Sequence, residues 1–440
     1  MGLGKTFQVL SFIQAISEQK QNILIVAPAS LIQNWENEYY RFFKEKRYEL
    51  YNTSENKTVI TKLLKDQIEE REQNSSSIFI TSYENLRSYE NYIKIQWDIV
   101  ILDEAQRIKN PQTLTNKTAR ALKAGFRIAV TGTPVENTFS DIWAITDFVS
   151  PGLLGTHKEF KQHFSWTDDE SDESLIKKGK IIREKLGELF LRRKKEDNLP
   201  ELPEKMFIKQ SEFMPTLQAC VYTQILGLAA ETTTLDGKIR VLQKMRQVSD
   251  HYSFVPKYYT DNYDYTDTAK TLLLERILKE IQQKQEKVII FAEFIHTQEI
   301  LAKIIEKSFA IRPQIFNGSV KLFARENMLN RFKHSEGFNV LIMSPIAAGV
   351  GLTITEANHV IHFSRHWNPA KEDQATDRAY RIGQKKTVYV YLLIGKINGL
   401  NSFDEKLDAL LSTKQMIKGA ALFPSARLEI TESDLMNELL

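Results

Sequence analysis

The chain has 440 residues, 42% hydrophobic and 26% charged, with a formal net charge of +3 and one cysteine. That length exceeds one ordinary domain and points to two or three. No apolar run approaches the roughly 20 residues of a membrane span, and the single thiol, Cys220, excludes a disulfide framework or a cysteine-cluster zinc site and points to a reducing interior. The weak net charge neither demands nor excludes nucleic acid, because a basic groove can hide inside a balanced total.

The first segment, MGLGKTFQVLSFIQAI, holds Gly2, Gly4, Lys5 and Thr6, which read as the back half of a phosphate-binding loop running into an amphipathic helix. A lysine placed there pairs with β- and γ-phosphate oxygens. A threonine hydroxyl holds magnesium, and the amides of the helix start complement negative charge. Alone, five such residues also fit a glycine-rich helix start with a chance Lys-Thr.

Next come NILIVAP (22–28), IFITSY (78–83), DIVILDEAQ (98–106) and RIAVTGTP (127–134), short β-branched runs separated by helical stretches. Near-continuous apolar strands of this kind predict a parallel sheet covered on both faces. The third run ends in Asp103 and Glu104, at a strand's carboxyl end, where ligands of α/β sheets sit. Asp103 can reach magnesium, and Glu104 can orient or deprotonate an attacking water; a solvated acidic strand end is the bland alternative. TGTPVEN (131–137) follows the next strand. Its Thr131 and Thr133 suit a loop that relays phosphate state to a bound polynucleotide, although turns of this composition are common by themselves.

Residues 150–285 read as helical and charged, with no clear strand series. Within them LRRKKEDNLPELPEK (191–205) reads as a linker or hinge, and YYTDNYDYTDT (258–268) as a loop. A second strand set follows: VIIFAEF (288–294), VLIMSP (340–345), HVIHFS (359–364) and VYVYLLI (388–394). In the block 343–384, Gly349 and Gly351 allow close backbone approach. Gln374, Arg378 and Arg381, four and three residues apart, are predicted to share one helical face. Two arginines so placed can stabilise charge on a transferring phosphoryl group across a domain cleft; surface pairs with Asp373 or Asp377 are the alternative. The chain then reads as helix again, SFDEKLDALLSTKQMI, before an acidic tail.

Seven blocks in this order, MGLGKT, LIVAPASLIQNWENEYYRF, DEAQRIKN, TGTPVEN, LRRKKEDNLPELPEK, AAGVGLTITEANHVIHF and WNPAKEDQATDRAYRIGQ, resemble the Swi/Snf-type ATPase family of superfamily-two helicase-like translocases, from residue 1 to about 400. The resemblance implies an α/β fold of two RecA-like parallel-sheet lobes with helical insertions between them. It divides the chain into lobe 1 (1–150), helical protrusions and linker (151–270), lobe 2 (271–400) and C-terminal helices with a tail (401–440). It implies ATP and Mg2+ as cofactors, with ATP hydrolysis stimulated by duplex DNA without sequence preference, and translocation without true strand separation. By matching position, Lys5 and Thr6 would hold phosphate and magnesium, with Gly2 and Gly4 in the same loop. Asp103 and Glu104 would serve magnesium and water, and Arg378 and Arg381, with Gln374 beside them, would act as trans-cleft fingers. Gly349 and Gly351 would approach the nucleotide or the polynucleotide. Segments holding Pro28, Ser30, Asn34 and Trp35 in lobe 1, and Trp367 and Asn368 in lobe 2, would contact DNA. Trp35 and Trp367 suit stacking on bases, or equally the packing of a lobe surface. KMRQVSDHY (244–252) is a looser version of the family pattern, with Ser249 where many members have cysteine.

The family usually reads D-E-M-G-L-G-K-T. Met1 is therefore expected to be an internal methionine of a longer protein. The first lobe would lack its first strand, and the chain alone would hydrolyse ATP poorly and aggregate. Three functions stay open from sequence: a DNA-stimulated translocase, a helicase, restriction-type or defence-system motor subunit, and an inactive remnant that binds DNA or a protein partner. The composition suggests a bacterial source; the expected location is the cytoplasm, at the nucleoid in a bacterium or in the nucleus of a eukaryote, with no membrane partner.

Overall fold

A computed structural model describes residues 4–16, 21–43, 48–69, 76–132, 139–164, 172–191, 193, 201–231, 234–260, 262–320, 322–345 and 352–420. The chain divides into two compact units, one principally of Gly2–Arg193 and the other principally of Lys194–Met416. Among the described residues no helix is long and apolar enough to cross a membrane.

The first unit starts with α1 (Lys5–Ala15), β1 (Asn22–Ala27) and α2 (Ile32–Phe42). It continues through β2 (Tyr48–Asn52), α3 (Thr58–Ile68), β3 (Ser76–Ser82), α4 (Tyr83–Ser88), α5 (Asn91–Lys94) and β4 (Gln96–Asp103). α6 (Leu114–Ala121) and β5 (Lys123–Val130) complete the sheet region. The five strands lie in the order β2-β3-β1-β4-β5 and every pairing is parallel. The apolar run of β1 is buried along its whole length, as a central strand covered on both faces requires. Val9, Leu10 and Ile13 of α1 and Trp35 and Tyr39 of α2 cover one face. Tyr83, Leu86, Trp97, Ile108, Ala119 and Phe148 belong to the core on the other. Ser82 and Thr113 cap α4 and α6 by accepting the amides of Asn85 and Asn116. Among the described residues no strand pairs with the outer edge of β5, where Phe126 is exposed. Three helices follow, α7 (Phe139–Val149), α8 (His157–Phe164) and α9 (Asp172–Leu186), packed around Trp143, Phe160, Phe164 and Ile182.

Residues 150–285, read as helical with no clear strand series, hold a strand, in the second unit, that the sequence reading did not name. β6 (Lys205–Phe213) pairs in parallel with β11 and forms an edge of the second sheet. Its run KMFIKQSEF is mixed and half-exposed because only one side of an edge strand is paired, so its burial never becomes continuous. α10 (Thr216–Glu231), α11 (Leu235–Asp250) and α12 (Ala269–Gln283) come next. Then follow β7 (Lys287–Phe291), α13 (Ile295–Phe309), β8 (Gln314–Phe316), α14 (Leu322–His334) and β9 (Asn339–Met343). The unit closes with β10 (His359–His362), α15 (Pro369–Thr376), β11 (Val388–Lys396) and α16 (Phe403–Ala420). The sheet order is β6-β11-β10-β7-β9-β8, again wholly parallel. Most of the linker read at 191–205 lies outside the described residues.

A buried ionic cluster ties this unit together. Lys270, at the start of α12, is 1% exposed and lies 3.1 Å from Asp250 of α11 and 2.9 Å from Asp404 of α16. Ser249 donates to Asp404 at 2.6 Å, Thr297 donates to Asp250 at 3.2 Å, and Ser364, after β10, also donates to Asp250. The backbone amide of Gly395 in β11 completes the ring on Asp404 at 3.0 Å. Nearby, Arg365 binds Glu372 with two bonds and Asp408 of α16 with a third.

Removing the cation from such a cluster strands two buried carboxylates. Lys270→Met is expected to destabilise the second unit by about 3–5 kcal/mol, read as a drop in its denaturant midpoint; an unchanged midpoint would sink this account. Acid should act on the same unit. Burial pulls the Glu286 and Glu372 carboxyls upward, but bonds from Lys386, Asn358 and His359 in one case, and Arg365 in the other, outweigh it and hold both at about 2, against an ordinary 4.5. A depressed carboxylate contributes stability that is present above its unfolded pKa and lost as pH falls toward the folded one. Stability is therefore expected to decline from pH 4.5 toward 2, with Glu286→Gln flattening part of that slope in denaturant titrations at several pH values.

Candidate functional site

The carboxyl ends of β1, β4 and β5 lie side by side in the first sheet, because β4 pairs in parallel with both neighbours. The segments leaving them therefore meet on one rim. β4 delivers Asp103, which is 6% exposed. Its Oδ1 accepts the backbone N–H of Glu104 at 2.9 Å, and its Oδ2 accepts the indole N–H of Trp35 at 2.9 Å. Tyr83 donates its hydroxyl to the Asp103 carbonyl at 2.8 Å. Burial first, then the charge of Glu104, push the Asp103 carboxyl up to about 6, while the Trp35 bond and the charge of Lys5 pull it down. An anion held in this way gains from a cation.

Glu104 takes a left-handed backbone conformation, φ 49° and ψ 51°, which ends the strand. Gln106 Nε2 donates to Glu104 Oε2 at 2.8 Å, and Thr131 donates its hydroxyl to Gln106 Oε1 at 2.6 Å. The amide of Gln106 is thus gripped from both ends, and Glu104 is tied through it to the end of β5. Thr133, the other threonine of that loop, lies outside the described residues.

At the start of α1, Gly4 stands at φ 69° and no side chain caps the helix. Glycine meets this conformation without steric cost, and the first amides of the helix remain for an anion. Lys5 and Thr6 follow at once, half-buried. Gly2 lies outside the described residues. An uncapped helix start, a lysine whose charge acts on Asp103, and oxygen donors from Thr6 and Asp103 fit a nucleotide phosphate with a hard divalent cation. Among the described residues no three His, Cys, Asp or Glu converge into a metal cluster, so such a cation would draw most of its ligands from phosphate and water.

The segment after β1 corrects one expectation. Asn34 is exposed and Ser30 half-exposed, while Pro28 is buried at the strand end. Trp35 is 1% exposed and hydrogen-bonded to Asp103, so it cannot stack on bases. Ile32, Trp35 and Tyr39, three and four residues apart, form the buried face of α2. That spacing was a signal for burial. Gln106 lay within the acidic motif, but no role for it followed from the sequence.

In the second unit, α15 ends at Thr376, so Arg378 and Arg381 do not continue the helical face of Gln374. The reason is local: the amide of Ile354 takes the Arg378 carbonyl at 2.9 Å, and Gln384 bonds the Ala379 carbonyl at 3.2 Å, which folds the chain into turns. The two guanidinium groups still converge, each 3.4 Å from the Leu352 carbonyl. Arg378 is 4% exposed, and Gln374 and Arg381 are half-buried. Gly349 and Gly351 lie outside the described residues. Asn368 is 1% exposed and its carbonyl receives the first amides of α15, so its side chain offers no outer surface. Trp367 lies under the Arg246 guanidinium, 4.9 Å from its ring centre, and packs on the cluster of α10, α11 and α16. Arg246 also forms an ion pair with Glu293.

A strand-end acidic pair beside a lysine at a glycine-led helix start is the arrangement of a nucleotide-hydrolysing α/β unit. The chain matches the SNF2-related domain over residues 1–301 and the helicase conserved C-terminal domain over 269–383. It belongs to the SNF2-related family, whose members are ATP-dependent helicases and translocases. It is 36% identical to the Zorya protein ZorD of Escherichia coli O139:H28 (strain E24377A / ETEC), covering 95% of this chain and 41% of that protein. It is 32% identical to an uncharacterized ATP-dependent helicase of Mycoplasma pneumoniae, covering 96% and 39%. The chain thus spans less than half the length of these curated relatives. Among solved structures it is similar to the Sulfolobus solfataricus SWI2/SNF2 ATPase core in complex with dsDNA, at 29% identity and a TM-score of 0.44, covering 100% of this chain and 88% of that one.

Gln106→Leu keeps the side-chain bulk but removes both amide bonds that orient Glu104. It is expected to lower ATP turnover by about 10- to 100-fold with little change in nucleotide KM. Steady-state phosphate release checks this, and an unchanged kcat would show that Glu104 needs no such support.

Proposed function

We propose that this chain is the motor of a DNA-stimulated ATPase that couples hydrolysis of magnesium-ATP to movement along duplex DNA, without sequence preference and without separating the strands. The observation that carries the reading is the acidic pair Asp103–Glu104 within reach of the Lys5 charge, in a chain that the SNF2-related domain matches over residues 1–301. Lys5, Thr6 and Gly4, with Gly2, would hold the phosphates, and Thr6 and Asp103 would hold magnesium, which neutralises phosphate charge when bound. Glu104 takes a proton from the attacking water, held in place by Gln106 and Thr131. Arg378 and Arg381, with Gln374 beside them, serve the developing charge on the γ-phosphoryl group. Ser30 and Asn34 offer a hydroxyl and an amide to backbone phosphates, contacts that carry no base preference.

The test is phosphate release by the 440-residue chain with magnesium-ATP, with and without duplex DNA. Duplex DNA is expected to raise the rate above the poor basal level expected of this chain alone. Glu104→Gln should remove about 10²-fold or more of it, and Arg378→Ala about 10³-fold. Release that is indifferent to DNA, or that survives Glu104→Gln, would overturn the proposal. A strand-displacement assay separates translocation from unwinding: displaced strand would favour the helicase reading.

A further inference from the structure

Trp35 and Asp103 are 68 residues apart in sequence and joined by one buried hydrogen bond. A buried indole N–H needs a partner, and any nearby carbonyl would serve. Here the partner is the free oxygen of the acid that ends β4, because the other oxygen is already taken by the Glu104 amide. The bond therefore fixes the rotation of the carboxylate, and a ligating carboxylate depends on such outer partners.

The helix that carries Trp35 has two faces with different neighbours. Ile32, Trp35 and Tyr39 point inward onto the cluster shared with α1, while Gln33, Asn34 and Asn37 are exposed. Asn34 and Trp35 are consecutive, so any tilt of α2 that follows a contact at Asn34 or Ser30 moves the indole. Packed interiors transmit such shifts rather than absorbing them.

We infer that Trp35 is a positioning residue that carries contact between α2 and a nucleic-acid backbone to the Asp103 carboxylate. This rests on the motor reading above and adds to it the route by which DNA reaches the acidic pair. The route differs from the Thr131–Gln106–Glu104 chain, which ends on the other carboxylate.

The first measurement uses the wild-type chain labelled at its five tryptophans and reads the indole N–H resonance of Trp35 without nucleotide. Adding duplex DNA is expected to move that resonance, and Asp103→Asn should move it without DNA. The second uses Trp35→Phe, which keeps an aromatic ring and removes the N–H. The magnesium concentration for half-saturation of a fluorescent ATP analogue should rise about 10- to 100-fold, and the ratio of DNA-stimulated to basal turnover should fall. A Trp35 that only fills the core would leave the magnesium dependence and that ratio unchanged in a folded variant, and this result would overturn the inference. If the variant does not fold, the wild-type spectra decide: DNA binding with a motionless Trp35 resonance overturns it. A wild-type chain that binds no duplex DNA overturns the motor reading and the inference together, which separates the two failures.

Discussion

Both sheets are wholly parallel, and that constraint organises everything else. A parallel pair cannot be closed by a tight turn; each connection must cross back over the sheet, almost always as a helix and in one hand. All strands then end on the same rim. In the first unit this brings together the segment after β1, the acidic end of β4 and the threonine after β5, which are well separated in sequence. In the second unit the same rule brings Ser364 and Arg365, after β10, within reach of α11 and α16.

The central strands were legible because a strand covered on both faces carries a near-continuous apolar run, and β1, β4, β7, β9 and β10 each hold one. Of the edge strands only β5 was legible. β6, β2 and the three-residue β8 are paired or covered on one side only, so their sequences mix polar and apolar residues and resemble loops or helices. The site divides in the same manner. Lys5, Asp103 and Glu104 sit in local motifs whose chemistry is readable residue by residue. The bond from Trp35 to Asp103 and the cluster around Lys270 join residues distant in sequence, and no local pattern encodes such pairings. The end of α15 at Thr376 depends on a carbonyl captured by Ile354, again a non-local event.

Both units pair buried charge, the first at Asp147 with Arg120 and the second more extensively. In the second, Lys270 meets two aspartates, Arg365 meets Glu372 and Asp408, and Arg246 meets Glu293. These pairs hold helices to the sheet, and losing one partner costs far more than the pair contributes. In the first, Asp103 lies in a comparably dry position but holds only hydrogen-bond donors, with Lys5 acting from a distance. Asp103, held by hydrogen bonds, is the acid to which the proposed function assigns the cation.

Glu104 is one of three non-glycine residues with positive φ among the described residues. Such a conformation costs a side-chain-bearing residue about 1–3 kcal/mol and persists where the surroundings enforce it. Glycine or asparagine would sit there with less strain. A laboratory lineage selected only for heat resistance would therefore drift toward losing this glutamate, exchanging the acid at the strand end for a relaxed backbone.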